Sequence, residues 1–150
     1  MNKVKTIRDI LKYMLIGAVC GLALNYAIMY SPLPEMFPAY TEKISSGLFS
    51  VNIIYGILLY CIAAPILEEL VFRILLYDTI YRFLGFLPAA VISSLLFGAF
   101  HMNMVQFIYA SLMGLLICTL YHRDHRIFVP MLIHCGANLA IWLSSALNQL

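Results

Sequence analysis

Charge is what this sequence has least of: Lys, Arg, Asp and Glu make up 11% of its 150 residues, against roughly 25% in a soluble domain. With 63% hydrophobic residues, the chain has too few polar side chains to cover a water-soluble globule and reads as a multi-span membrane protein. A net charge of +2, without a basic cluster interleaved with aromatics, gives no basis for a nucleic-acid partner. No CxxC spacing occurs among Cys20, Cys61, Cys118 and Cys135, so neither a disulfide framework nor a structural zinc site is indicated, and each reads as a small buried hydrophobe. The sequence also lacks an HExxH helix and internal repeats. The apolar run from Tyr13 to Tyr30 follows Lys3, Lys5, Arg8 and Lys12 but has no small-x-small cleavage site, so it is expected to remain as a first span.

What is there is a series of apolar runs broken by turn signals. We expect an all-α polytopic transmembrane helix bundle of about five to six spans. Residues 1–47 would form an N-terminal span and external loop, the loop holding Pro32, Pro34, Pro38, Glu35, Glu42 and Lys43, and residues 48–150 the functional core. Within that core, Leu48 to Ala64 is apolar, Gly85 and Pro88 open the next run, Met104 to Tyr121 follows, and Ile127 to Leu147 is last. Pro65 either kinks a continuing helix or starts a new one, since proline is tolerated in a first helical turn. A continuous helix puts Arg82 and the loop His122-Arg123-Asp124-His125-Arg126 on the same side as the N-terminus, with only Lys43 opposite. The positive-inside rule favours that arrangement, with the N-terminus cytoplasmic in what we expect to be a bacterial plasma membrane.

Against this background the run Pro65-Ile66-Leu67-Glu68-Glu69-Leu70-Val71-Phe72-Arg73 is anomalous. Ionisable groups at bilayer depth are costly and face a bundle interior or a wet cavity, so each is a candidate functional residue. Glu69 and Arg73 stand four residues apart with the acid on the N-terminal side, the favourable order for a structural ion pair. Glu68 lies about 100° round the helix from Glu69 and needs a partner from another helix. Two further i,i+4 pairs offer one: Phe97 with His101, and His134 with Asn138.

Hydrolysis of a peptide bond by water needs a general base and donors for the oxyanion. Glu68 and His101 are candidates for activating the water, and His134 and Asn138, on one helical face, for stabilising the oxyanion. A catalytic zinc is an alternative, with Glu68, His101 and His134 as three N/O ligands around an open position. For His101 and His134 taken singly, a satisfied core histidine is the competing reading, and His122 and His125 in the charged loop read as solvated. Phe97 would pack behind His101, while Gly98, Gly114 and Gly136 suit close helix contact in lipid.

The patterns EExxxR, FxxxH and HxxxN, in that order and each in an apolar segment from about Ile54 to Ala146, resemble the CPBP family of intramembrane proteases, named for CAAX prenyl-protein processing and bacteriocin processing and including Abi-type proteins. That resemblance implies that the first glutamate and first histidine activate water, the family being described both as metalloproteases and as metal-independent glutamate proteases. It implies a peptide or membrane-protein substrate in the lipid bilayer, handled in CAAX-type processing or in bacteriocin maturation and self-immunity. Ile74 stands where relatives often carry glycine, which bears on local packing. The chain has fewer flanking spans than many relatives, so a homo-oligomer or partner would complete the cavity wall. Two other classes stay open: a non-catalytic immunity or scaffold protein of the same fold, and a small proton-coupled transporter using the same Glu and His.

Overall fold

The computed structural model describes residues 7–38 and 52–147. Lys3, Lys5, Glu42, Lys43 and the expected start of the second apolar run at Leu48 lie outside those residues. Among the described residues six helices follow one another: α1 Ile7–Met29, the single turn α2 Leu33–Met36, α3 Ile53–Leu84, α4 Phe86–Phe100, α5 Met104–Asp124 and α6 Phe128–Leu147. The fold is an all-α polytopic bundle. Among the described residues α1, α3, α5 and α6 are each long and apolar enough to cross a membrane. The 15 residues of α4 rise about 22 Å, short of the roughly 30 Å hydrocarbon thickness.

Side-chain contacts fix the relative directions. At one face of the bundle Tyr13 of α1 donates to Asp124 Oδ2 at 2.6 Å, and Arg126 bonds Asp124 and lies 3.9 Å from Asp9. At the other, the hydroxyls of Tyr26 and Ser144 are 2.9 Å apart. Helices α1 and α6 are therefore parallel, and the start of α1 shares a face with the α5–α6 loop. Both ends of α3 fit this frame: Tyr77 meets His122 at 3.1 Å and Tyr121 donates to Asp78 at 2.9 Å, so α3 ends where α5 ends and α6 begins. Proline-65 does not break the helix. The chain runs on as one 32-residue element with no hairpin at Pro65, and α1, α3, α4, α5 and α6 alternate in direction.

Glycine decides how closely α1 and α6 approach. A Cβ on Gly17 would collide with the Ile133 carbonyl, one on Gly136 with the Met14 carbonyl, and one on Gly21 would sit 2.7 Å from the Ala137 Cβ. Close backbone contact replaces the hydrophobic drive that is missing between helices in lipid. The interface is sealed by a cluster of Tyr13, Met113, Ile117, Val129, Ile133 and Ala137. Outward positions such as Leu11, Leu15, Val19, Leu75 and Leu96 stay exposed, as a lipid-facing surface requires. At the other end of the site Gly85, at φ 78°, takes the left-handed conformation that turns α3 into α4.

Helix α3 is not uniform. Two stretches, Ile57–Ala63 and Leu70–Tyr77, are π-helical, flanking the α-helical turn Ala64–Glu69. Such i to i+5 turns are rare and gather at functional sites. The turn between them carries both glutamates.

Candidate active site

The site starts from a charge that hydrocarbon forces the helix to neutralise. Glu69 and Arg73 are both fully buried, joined by Arg73 Nε to Glu69 Oε2 at 2.7 Å and Nη2 to Oε1 at 3.5 Å. Arg73 Nη1 donates to Ser93 Oγ at 3.2 Å and to Cys118 Sγ at 3.3 Å, so four of the five guanidinium N–H groups are engaged. Ser93 passes the connection on by donating to the Phe72 carbonyl at 2.8 Å. The Phe97 ring stands 5.4 Å from the guanidinium, a cation–π distance.

Glu69 also holds a group from α6. His134 Nδ1 donates to Glu69 Oε1 at 2.9 Å, which leaves Nε2 as the free ring nitrogen, 3.7 Å from Glu68 Oε2. A carboxylate on one imidazole nitrogen fixes tautomer and ring orientation. The partner that Glu68 needs from another helix is thus His134, and the link from Glu69 to His134 is one that helical spacing within α3 does not reveal.

His101 lies at the C-terminal end of α4, in the turn that Met102 makes at φ 55°. Its Nδ1 donates to the Phe97 carbonyl at 2.9 Å, and the Phe97 ring packs edge-on at 5.1 Å. Nε2 is therefore the nitrogen left to accept. Asn138, one turn beyond His134, donates Nδ2 to the Tyr60 carbonyl at 3.0 Å. Because the acceptor is a carbonyl, the amide nitrogen must face it.

All four residues, Glu68, His101, His134 and Asn138, line one half-open cavity of about 670 Å³. Its walls include Asn25, Tyr26 and Met29 of α1, Gln106 of α5 and Trp142 of α6. The cavity has room for several residues of an extended peptide. It combines apolar walls with a few converging polar groups, the usual composition of a ligand site. Measured along α3, Glu68 is nine residues from Tyr77, about 14 Å at helical rise, and Tyr77 marks the level of the α5–α6 loop. His134, a similar distance from that loop, meets Glu68 because the last turns of α3, from Asp78 to Leu84, run alongside His122 and Tyr121.

Zinc needs a convergent donor set. Among the described residues no three His, Cys, Asp or Glu side chains are grouped to hold a metal ion. Glu68 and His134 approach one another, but with His101 they do not close a three-ligand site.

Residues 50–140 match the family described as Rce1-like, Type II CAAX prenyl endopeptidase Rce1-like. The chain belongs to this family. A protein of Bacillus subtilis (strain 168) named "Putative membrane peptidase YdiL" is 35% identical over 82 residues, which is 55% of this chain and 34% of that protein. The chain thus spans about a third of that relative's length. No solved structure matches the chain. The Rce1-like match covers α3, α4, α5 and most of α6, so α1, which supplies one wall of the cavity, stands outside it.

Sequence reasoning missed several members of the site. Ser93, Ser94 and Cys118, all buried beside Arg73, were legible only as polar residues within apolar helices, and Gly17 with Gly21 as a small-xxx-small pair in α1. His122 is half-buried rather than solvated: it stacks on Phe86 at 4.5 Å and bonds the Tyr77 hydroxyl. The end of α3 folds its aromatic side chains over the loop, which a local reading of charges does not anticipate. Of the cysteines, Cys61 and Cys118 are buried, while Cys20 and Cys135 are partly exposed.

Proposed function

We propose that the chain is an intramembrane endopeptidase in which Glu68 and His101 activate water for attack on a peptide bond. The observation that carries this reading is the convergence of Glu68, His101, His134 and Asn138 on one cavity, with a fully buried Glu69–Arg73 pair behind it. In this mechanism Glu68 takes a proton from water while His101 Nε2 accepts the water's other hydrogen bond. The oxygen attacks the peptide carbonyl, forming a tetrahedral oxyanion. His134, held by Glu69, stabilises that oxyanion through Nε2 when this nitrogen carries a proton. Collapse of the intermediate breaks the C–N bond, and Glu68 returns its proton to the departing amine. Each of these steps uses the protein's own residues and water, since among the described residues no three donors form a ligand set for a metal.

The substrate in this reading is a peptide or membrane protein lying in the bilayer. Membership of a family described as CAAX prenyl endopeptidases supports C-terminal processing of the CAAX type, with bacteriocin maturation or self-immunity as the second substrate class. The N-terminus and the α5–α6 loop face the cytoplasm of a bacterial plasma membrane, because Arg8, Lys12, Arg82, Arg123 and Arg126 gather at that face. The test is purified protein in detergent with a labelled peptide library, prenylated and unprenylated, wild type beside Glu68→Ala. Cleavage by both proteins, or by neither, overturns the proposal.

A further inference from the structure

We propose that Asn138 is a positioning residue that fixes the register of α3, and that Pro65 creates the acceptor it holds. This deepens the peptidase reading above and rests on it for the kinetic part of the test. The argument begins with hydrogen bonds inside α3. In the π-helical stretch Ile57–Ala63 each carbonyl accepts from the residue five positions on, and the last such bond runs from Ala64 N–H to Leu59 O. The next in the series would run from residue 65 to Tyr60 O. Residue 65 is proline and has no N–H. Nor can Tyr60 O revert to the α pattern, because its α partner, Ala64 N–H, is already given to Leu59. Proline therefore both ends the π stretch and strands one carbonyl.

A carbonyl without an intrahelical partner at membrane depth requires a donor from elsewhere. Asn138 Nδ2 supplies it at 3.0 Å from α6. The bond ties α6 to α3 five positions before the start of the Pro65 to Glu69 turn, and one turn of α6 beyond the His134 contacts to Glu68 and Glu69. These contacts clamp the glutamate turn from both ends. The register matters because each π turn holds one residue more than an α turn, so sliding from π to α register would rotate Glu68 relative to His134 by up to about 100°. Asn138 acts on the reaction through the placement of Glu68.

The test is a double-substitution cycle with Pro65→Ala, Asn138→Ala and the pair, read by Tm in detergent and by kcat and KM on a fluorogenic peptide drawn from the cleaved library. An alanine at 65 restores a backbone donor within reach of Tyr60 O. Asn138→Ala alone should lower Tm by about 2–4 °C, the range expected for losing one hydrogen bond of about 1 kcal/mol in a chain of this length, and lower kcat at least tenfold with KM little changed. In the Pro65→Ala background the same substitution should lower Tm by less than half as much and recover most of the lost kcat. If Asn138→Ala alone does not accumulate, its accumulation alongside Pro65→Ala is the supporting result and its continued absence the overturning one. Equal Tm losses in both backgrounds overturn the proposal. So does a loss of about 100-fold or more in kcat in both backgrounds with Tm unchanged, which would make Asn138 an oxyanion donor. If no peptide is cleaved by the wild type, the peptidase reading fails while the Tm cycle still decides the Pro65–Asn138 pairing.

Discussion

Glu69 and His134, 65 positions apart in the chain, are joined by a hydrogen bond of 2.9 Å in the buried centre of the bundle. One carboxylate thereby serves two helices, neutralising Arg73 on its own and orienting an imidazole on α6. The other glutamate of the pair, Glu68, is left at the cavity wall facing the other side of that imidazole. Adjacent acids in sequence have separate work because a helix points them about 100° apart.

Glu68→Gln and His101→Ala are each expected to abolish cleavage while the protein still inserts and accumulates. Neither side chain is fully buried, Glu68 lying at the cavity wall and His101 at a helix end. Turnover of labelled peptide, normalised to purified protein, is the measurement. A variant retaining more than about a tenth of wild-type activity has lost less than about 1.4 kcal/mol of transition-state stabilisation, which is too little for the base or its partner.

Arg73→Ala and Glu69→Gln should damage folding before chemistry. Removing either partner leaves a buried charge uncompensated, at a cost of about 3–5 kcal/mol, and Arg73→Ala also takes one donor from Ser93 and one from Cys118. The expected outcome is loss of monodisperse protein on size-exclusion chromatography in detergent. Arg73→Ala that accumulates normally with wild-type thermal stability but no activity would instead give the arginine a direct part in the reaction.

Helix α1 should be required although it lies outside the family match. Gly17→Val would drive a side chain into the Ile133 backbone and push α1 off α6, moving Asn25, Tyr26 and Met29 away from the cavity. We expect reduced thermal stability together with reduced turnover. Val19→Leu, on the exposed face of the same helix, is the control and should leave both unchanged.

The start of α1 and the α5–α6 loop should label from the same side of the membrane. Their contact through Asp9, Tyr13, Asp124 and Arg126 makes this a matter of geometry, and the positive-inside rule applied to the basic residues at that face predicts that the side is cytoplasmic. Single cysteines at Ile7 and Arg123, in a background lacking the native four, would be exposed to a membrane-impermeant thiol reagent. Labelling of both from outside intact cells reverses the orientation, and labelling of one alone contradicts the helix order.

Chelators should leave activity unchanged, since the described residues do not assemble three ligands. The check is turnover after treatment with a strong zinc chelator, alongside metal analysis of the purified protein. Stoichiometric zinc, lost in His134→Ala and restored with activity on re-addition, would promote Glu68, His101 and His134 to ligands.

The sequence by itself determined that this is a helical membrane protein and which residues are costly to bury. Both follow from composition and spacing: apolar runs of spanning length force helices, and Glu68, Glu69, Arg73, His101 and His134 are groups that hydrocarbon does not tolerate unpartnered. The i,i+4 pairing of Glu69 with Arg73 was likewise legible, because it lies within one helix. Tertiary structure decided everything that crosses between helices. That Glu69 reaches His134 and that Ser93 and Cys118 complete the arginine's bonds are contacts between helices, and that α1 walls the cavity depends on how Gly17, Gly21 and Gly136 let α1 and α6 approach. The same holds for Pro65. Its missing N–H is written in the sequence, but that the chain runs on there, with the Tyr60 carbonyl accepting from Asn138, 78 positions later, shows only once folding brings α6 alongside.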